Sequence, residues 1–199
     1  MSLPLALARI EQLERALVPE PAATLASSAV AAPSATATAA SAPVGSASFA
    51  SLLGNASGSP MTTIAGAEVG QAEQPPGSND SPRIAQYRTA TAGGGVGPWC
   101  AYFVSWVARQ AGTPLGDHGE GFGSVDQLYA WAQRAGRAVP NGPGVVPRPG
   151  DLIVLHEHVG IVEQVLPGGR IQTIEGNYSD RVSRNVHDFS DALGYVRMS

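Results

Sequence analysis

An α+β fold is predicted for the C-terminal part of this 199-residue chain, with helices first and an antiparallel sheet after them. Two observations predict it. Between residues 99 and 135, apolar side chains recur at helical spacing in two separate runs. From residue 151 onward, short β-branched runs alternate with turn signals, and no helical pattern lies between them. A parallel, doubly wound sheet needs a helix between successive strands, so that architecture is excluded.

The elements follow in order. "RIAQYRTA" (83–90) reads as a short helix, and "AGGGVGP" (92–98) as a loop. Residues 99–111 place Tyr102, Phe103, Trp106 and Val107 on one helical face. A second helix begins at Ser124, which with Gln127 fits a capping box; Val125, Leu128, Tyr129, Ala132 and Ala135 follow at helical spacing. "NGPGVVPRPG" (141–150) is a turn-rich connector. "DLIVL", "HVGIVEQVL", "RIQTIEGN", "RVSRNVHD" and "LGYVRM" are the predicted strands, and "PGG" turns the second into the third.

Upstream the chain is of another kind. From Pro21 to Ala67 there is no charged residue, and Ala, Ser, Thr and Pro fill 25 of the 30 positions from 21 to 50. So little apolar bulk does not offset the entropy of ordering. Residues 19–81 are therefore expected to be a flexible linker, and residues 82–199 the catalytic domain. Residues 1–18 carry Leu3, Leu7, Ile10, Leu13 and Leu17 at three- and four-residue spacing, an amphipathic helix that needs a surface to dock on. All Trp, Tyr and His residues lie beyond residue 82.

Composition narrows the function. The formal net charge is -4 and all twelve basic residues are Arg, so no basic footprint for nucleic acid exists. No apolar run approaches the ~18 residues of a membrane span. The first residues lack a basic segment ahead of an apolar one and do not read as an ordinary signal peptide. A single cysteine excludes an internal disulfide and a four-cysteine zinc site.

That cysteine, Cys100, falls where a helix should begin, after Gly97 and Pro98. Orphan N–H groups and the positive end of the helix dipole stabilise an anion there. The same N–H groups are suited to hold an oxyanion. A thiol nucleophile needs a base, and His118, His156, His158 and His187 are available. His156 and His158 are two residues apart, so both can face one side of a strand and periodicity does not choose between them. If "LPGGR" closes a hairpin with Pro167 opposite Arg170, Asn177 becomes a diagonal neighbour of His158 at roughly 7–8 Å, with Glu175 one step further. An odd loop would turn both away, and a bulge would bring Glu175 closer.

Five blocks in order, "PWCAYFVSWVARQAG", "RPGDLIVL", "HVGIVEQV", "IQTIEGNYSDRV" and "GYVR", resemble the CHAP family of cysteine, histidine-dependent amidohydrolases/peptidases. The resemblance implies a papain-like α+β fold and hydrolysis of peptidoglycan amide bonds, as endopeptidase or N-acetylmuramoyl-L-alanine amidase. It implies Cys100 as nucleophile, His158 as base, and Glu175 with Asn177 as the E-x-N pair that polarises the histidine. The family argument favours Glu175 as orienter, and the simple hairpin favours Asn177. Some members bind calcium through an Asp-x-Asp loop that is lacking here, so no metal is expected; no cofactor is expected either. The glycines at 93–95 lack the lysine of a phosphate-binding loop. Trp106 and Trp131 are expected in the core, and Trp99, beside the nucleophile, is the candidate substrate-binding residue. Specificity is expected in loops 112–124 and 137–149.

The N-terminal helix, the Ala/Ser linker and "SFASLL" resemble the N-termini of wall hydrolases associated with flagellar assembly. That implies a secretion or flagellar assembly partner, a specialised export route, and a place in the cell wall, periplasm or exterior. Two other functions use the same fold: a catalytically inactive wall-binding or assembly protein, and acyl transfer to an amine.

Overall fold

The computed structural model describes residues 58–199; the expected helix 1–18 and the linker as far as residue 57 lie outside the described residues. Four helices come first among these: α1 (Pro60–Ala67), α2 (Pro82–Arg88), α3 (Cys100–Gln110) and α4 (Val125–Arg134). Six strands follow: β1 (Ala138–Pro140), β2 (Leu152–Leu155), β3 (His158–Leu166), β4 (Arg170–Tyr178), β5 (Arg181–Asp188) and β6 (Gly194–Val196). They form one antiparallel sheet in the order β1-β6-β2-β3-β4-β5, so the α+β class is observed.

Alternation along β2 makes the sheet two-sided. Leu152 and Val154 join the larger core with Phe103, Val107, Leu128 and Ile161, between sheet and helices. Ile153 and Leu155 join a second cluster with Val162, Ile171 and Tyr195, covered by Val145 and Phe189. The connector and a single 3₁₀ turn (Phe189–Asp191) thus cap the face that the helices leave open.

Local signals fix the helix ends. Ser124 accepts a hydrogen bond from the Gln127 N–H and starts α4. Helix α3 ends at Gly112 in left-handed backbone, φ 76°. There Gly112 N–H donates to Arg109 and Thr113 N–H to Ala108, the Schellman arrangement that satisfies the last carbonyls. At its other end α3 has no side-chain cap: Trp99 is the N-cap and Cys100 the first helical residue.

The folded part begins earlier than the expected boundary at residue 82. Ser59 and Pro60 start α1, whose Met61 and Ala65 are buried in the larger core. Beyond it, Gly70 N–H donates to Val182 and Val182 N–H to Gln71, extending the sheet past β5. Buried Glu68 accepts from Arg83 Nε at 2.7 Å and the Tyr87 hydroxyl at 2.6 Å. Buried Glu73 accepts from Trp99 Nε1 at 2.9 Å and Asn79 N–H at 2.7 Å. Composition hid this segment because it brings few apolar residues to the core and much of its attachment is polar. The side chains that the two glutamates bind outside the segment lie 15 to 26 residues downstream, out of reach of any local pattern.

Replacing Met61 by Ala is expected to lower unfolding free energy by about 2–5 kcal/mol. Replacing exposed Thr63 on the same helix should change it by less than about 0.5 kcal/mol. Urea unfolding measures both; equal, negligible effects would mean that residues 58–67 do not pack.

Candidate active site

Three elements meet at the site: the first turn of α3, the start of β3, and the middle of β4. Cys100 stands on the first, is buried, and lines an open cleft with Pro98, Gly123, Ser124 and Glu157. The N–H groups of Cys100, Ala101 and Tyr102 precede the first helical bond, which Phe103 N–H makes to Trp99, and no side chain caps them. His158 opens β3, directly after a tight turn through His156 and Glu157. Both Cys100 and Glu175 lie close enough to act on its ring. Nε2 is 2.9 Å from Glu175 Oε2, so Nδ1 is the ring nitrogen not engaged by that carboxylate.

The hairpin register decides which residue meets His158. The loop after β3 is Pro167–Gly168–Gly169, with Leu166 opposite Arg170; this odd loop alone would turn the β4 residues to the wrong face. A bulge at Glu163 then inserts one residue into β3, so Val162 opposes Thr173 and Ile161 opposes Ile174. The two irregularities together restore the face and slide β4 by two residues. Glu175 now takes the diagonal position that a regular even loop would give to Asn177. It sits opposite Gly160, where an added Cβ would stand 2.5 Å from Glu175 Cγ. Only glycine leaves room there for the carboxylate.

Asn177 is displaced. The pairing of β4 with β5 breaks between Glu175 and Tyr178, and Asn177 is in left-handed backbone at φ 63°. The imidazole bond goes to Glu175 instead. The expected substrate role of Trp99 also fails. Its ring is fully buried, stacks on Tyr87 with centroids 5.8 Å apart, and donates to Glu73, so no face is open to a substrate. Trp99 instead anchors the residue that precedes Cys100. Trp131 is in the core and Trp106 packs against it, as the spacing indicates. His118 and His156 are exposed.

Sequence reasoning missed other neighbours. His187 Nε2 is 2.6 Å from Glu175 Oε1, and the Thr173 hydroxyl donates to the same oxygen. Exposed Tyr178 meets the His158 ring edge-on at 6.2 Å. A second hollow, lined by Gly93, Gly94, Tyr102 and Glu120, shares Gly123 and Ser124 with the cleft. Gly123 and Ser124 of the first expected specificity loop therefore border the cleft, and residues 120–122 border the hollow beside it. Among the described residues, no group of three or more His, Cys, Asp or Glu is placed to hold a metal ion.

Electrostatics follow from these contacts. Burial of Glu175 would raise its pKa, but hydrogen bonds from His158, His187 and Thr173 outweigh it and hold the carboxyl at about 2. Burial of His158 would lower its pKa, but Cys100 and Glu175 favour the charged ring and hold it at about 9. The bond to Glu175 raises His187 as well, against its own burial. A depressed carboxyl stabilises the fold above its ordinary value of 4.5 and loses that effect as pH falls through about 2. A raised histidine stabilises below its ordinary 6.5 and loses that effect as pH rises through about 9. Both contributions are complete only between pH 4.5 and 6.5. The melting-temperature gap between wild type and Glu175→Gln should therefore be widest in that window and narrow on both sides. A gap independent of pH would refute the charged pair.

Residues 91–177 match the family model of the CHAP domain. No curated protein and no solved structure matches the chain. Among the described residues, no helix is long and apolar enough to cross a membrane. The matched segment holds the first turn of α3, all of β3 and β4 as far as Asn177, and the CHAP domain it matches is part of the papain-like NlpC/P60-type grouping, whose members are in general amidases or peptidases of peptidoglycan.

Proposed function

We propose that this protein hydrolyses amide bonds of peptidoglycan through a Cys100 nucleophile and a thioester intermediate. One observation carries the reading: the His158 imidazole is bonded to a buried carboxylate and is within interaction range of the Cys100 thiol at the start of α3. In this mechanism Nδ1 of His158 takes the Cys100 proton, and the thiolate attacks an amide carbonyl of a stem or cross-bridge peptide. The unpaired N–H groups of the first turn of α3 stabilise the oxyanion. The imidazolium gives its proton to the leaving amine as the C–N bond breaks. Water, deprotonated by the same ring, cleaves the thioester, and the proton returns to sulfur.

Glu175 is the orienter in this reading. It occupies Nε2, fixes the ring plane, and favours the imidazolium that the first step creates. Asn177 has no part in holding the ring. The substrate lies in the cleft between α3 and the turn at Gly123–Ser124, and the protein acts where peptidoglycan is, in the cell wall, periplasm or exterior.

Cys100→Ala should reduce clearing of purified cell wall in a zymogram by on the order of a thousandfold or more. Absence of clearing by wild type and variant alike, with wall binding retained, would favour a non-catalytic wall-binding role. Mass spectrometry of the released fragments identifies the bond.

The pH profile tests the histidine. Loss of the imidazolium removes the proton needed by the leaving amine, so the lytic rate should fall on an alkaline limb near pH 9. Glu175→Gln removes a carboxylate that favours the charged ring, while burial still opposes charge. That limb should therefore move to lower pH, together with a fall in kcat. A limb unmoved by Glu175→Gln would mean that Glu175 does not act on His158.

A further inference from the structure

The Glu175 carboxylate is completely buried and has a histidine on each oxygen: His158 on Oε2 and His187 on Oε1, at 2.9 and 2.6 Å. The reading of Cys100 and His158 as nucleophile and base uses only the first of these. A buried carboxylate needs compensation at all times. His158 cannot supply it throughout, because in that reading its ring becomes charged when it takes the thiol proton and neutral again when it protonates the leaving amine.

His187 is placed differently. It is near the end of β5, on the sheet edge remote from β1, and the cleft beside Cys100 is lined without it. Its side chain is only 15% exposed, and it meets the carboxylate from the side opposite His158. The charged and titratable groups around it are Glu175 on β4, His158 on β3 beyond that carboxylate, and Asp191 in the 3₁₀ turn. Both carboxylates favour its charged form, and Thr173 supplies a neutral donor to the same Glu175 oxygen.

We propose that His187 is a positioning residue that anchors the outer oxygen of Glu175 and keeps this carboxylate compensated while His158 gains and loses its proton, completing a chain Cys100–His158–Glu175–His187. This rests on the proposed roles of Cys100 and His158. Two consequences follow, the first of opposite sign to that of removing Glu175. A neutral donor at 187 keeps the carboxylate in place but removes a positive charge that repels charge on His158, so the His158 ring becomes harder to deprotonate. A side chain with no donor frees the carboxylate to rotate, and the imidazole loses its fixed plane.

Histidine ring titration by NMR on the full chain tests the first consequence without any substrate. In His187→Gln the His158 midpoint should move to higher pH than in wild type, whereas in Glu175→Gln it should move lower. The rate of iodoacetamide alkylation, which in this chain reports only on Cys100, should follow the same order along its pH profile. In the wall-lysis assay, His187→Ala should lose about ten- to a hundredfold in kcat with KM unchanged, as expected for a lost bond to a charged group. His187→Gln should restore most of kcat but keep an alkaline limb shifted upward. A His158 midpoint and kcat unaltered in folded His187→Gln and His187→Ala would overturn the proposal, while loss of lysis in Cys100→Ala would leave the hydrolase reading intact. Full lysis by Cys100→Ala would instead remove the reading on which the proposal rests. Should His187→Ala not fold, the titration of His187→Gln alone decides.

Discussion

The carboxylate of Glu175 has no access to water, and most of the architecture around the site answers to that. An ionised carboxylate inside a protein is tolerated only when donors surround it. Three side chains do so, from three positions: His158 on β3, Thr173 two residues back on β4, and His187 on β5. The backbone makes room by leaving position 160 without a side chain. The carboxylate thereby stitches three adjacent strands together at one end of the sheet. The same bonds that make burial tolerable make the histidine basic, so stability and reactivity come from a single set of contacts.

The sulfur end is held by different means. Cys100 is fixed because Trp99, one residue before it, is locked into the core by its ring packing and by the indole bond to Glu73. Glu73 is itself held by Asn79 N–H, and its segment runs along β5. Residues 68–81 therefore tie the start of α3 to the edge of the sheet that carries His187. Both ends of the proposed chain of groups lean on the same upstream strap.

The sequence made the helices around Cys100 and Ser124 and the run of strands legible, because hydrophobic periodicity and capping are local. His158 and Glu175 were legible through the resemblance, and through geometry only up to the register. An odd loop and a bulge, each of which flips a strand face, cancel in their effect on side and add in their effect on position. "PGG" and "VEQV" do not announce this pair. Trp99 was misread because its position in the chain, beside the nucleophile, says nothing of which way the ring turns. The segment 58–81 was read as linker because few apolar residues attach it: Met61 and Ala65 enter the core, and two buried glutamates hold the rest. His187 was visible as one of four histidines, but its link to Glu175 spans a strand pair whose alignment the sequence does not print.

These omissions share a cause that bears on how the domain works. The family match ends at Asn177 and starts at Thr91. Cys100, His158 and Glu175 fall inside it; Glu73, which holds Trp99 beside Cys100, and His187, which bonds the Glu175 carboxylate, fall outside. In the proposed reaction the inner set meets demands that the chemistry imposes on any amide hydrolysis by a thiol: a nucleophile at a helix start, a ring that carries a proton, an acceptor that orients it. The outer set meets demands that this fold imposes, since a carboxylate sunk this deep needs further donors and an uncapped helix start needs an anchor. An outer-set group leaves the reacting atoms in place but alters how strongly they hold a proton, and for that reason its effect appears first in a pH profile.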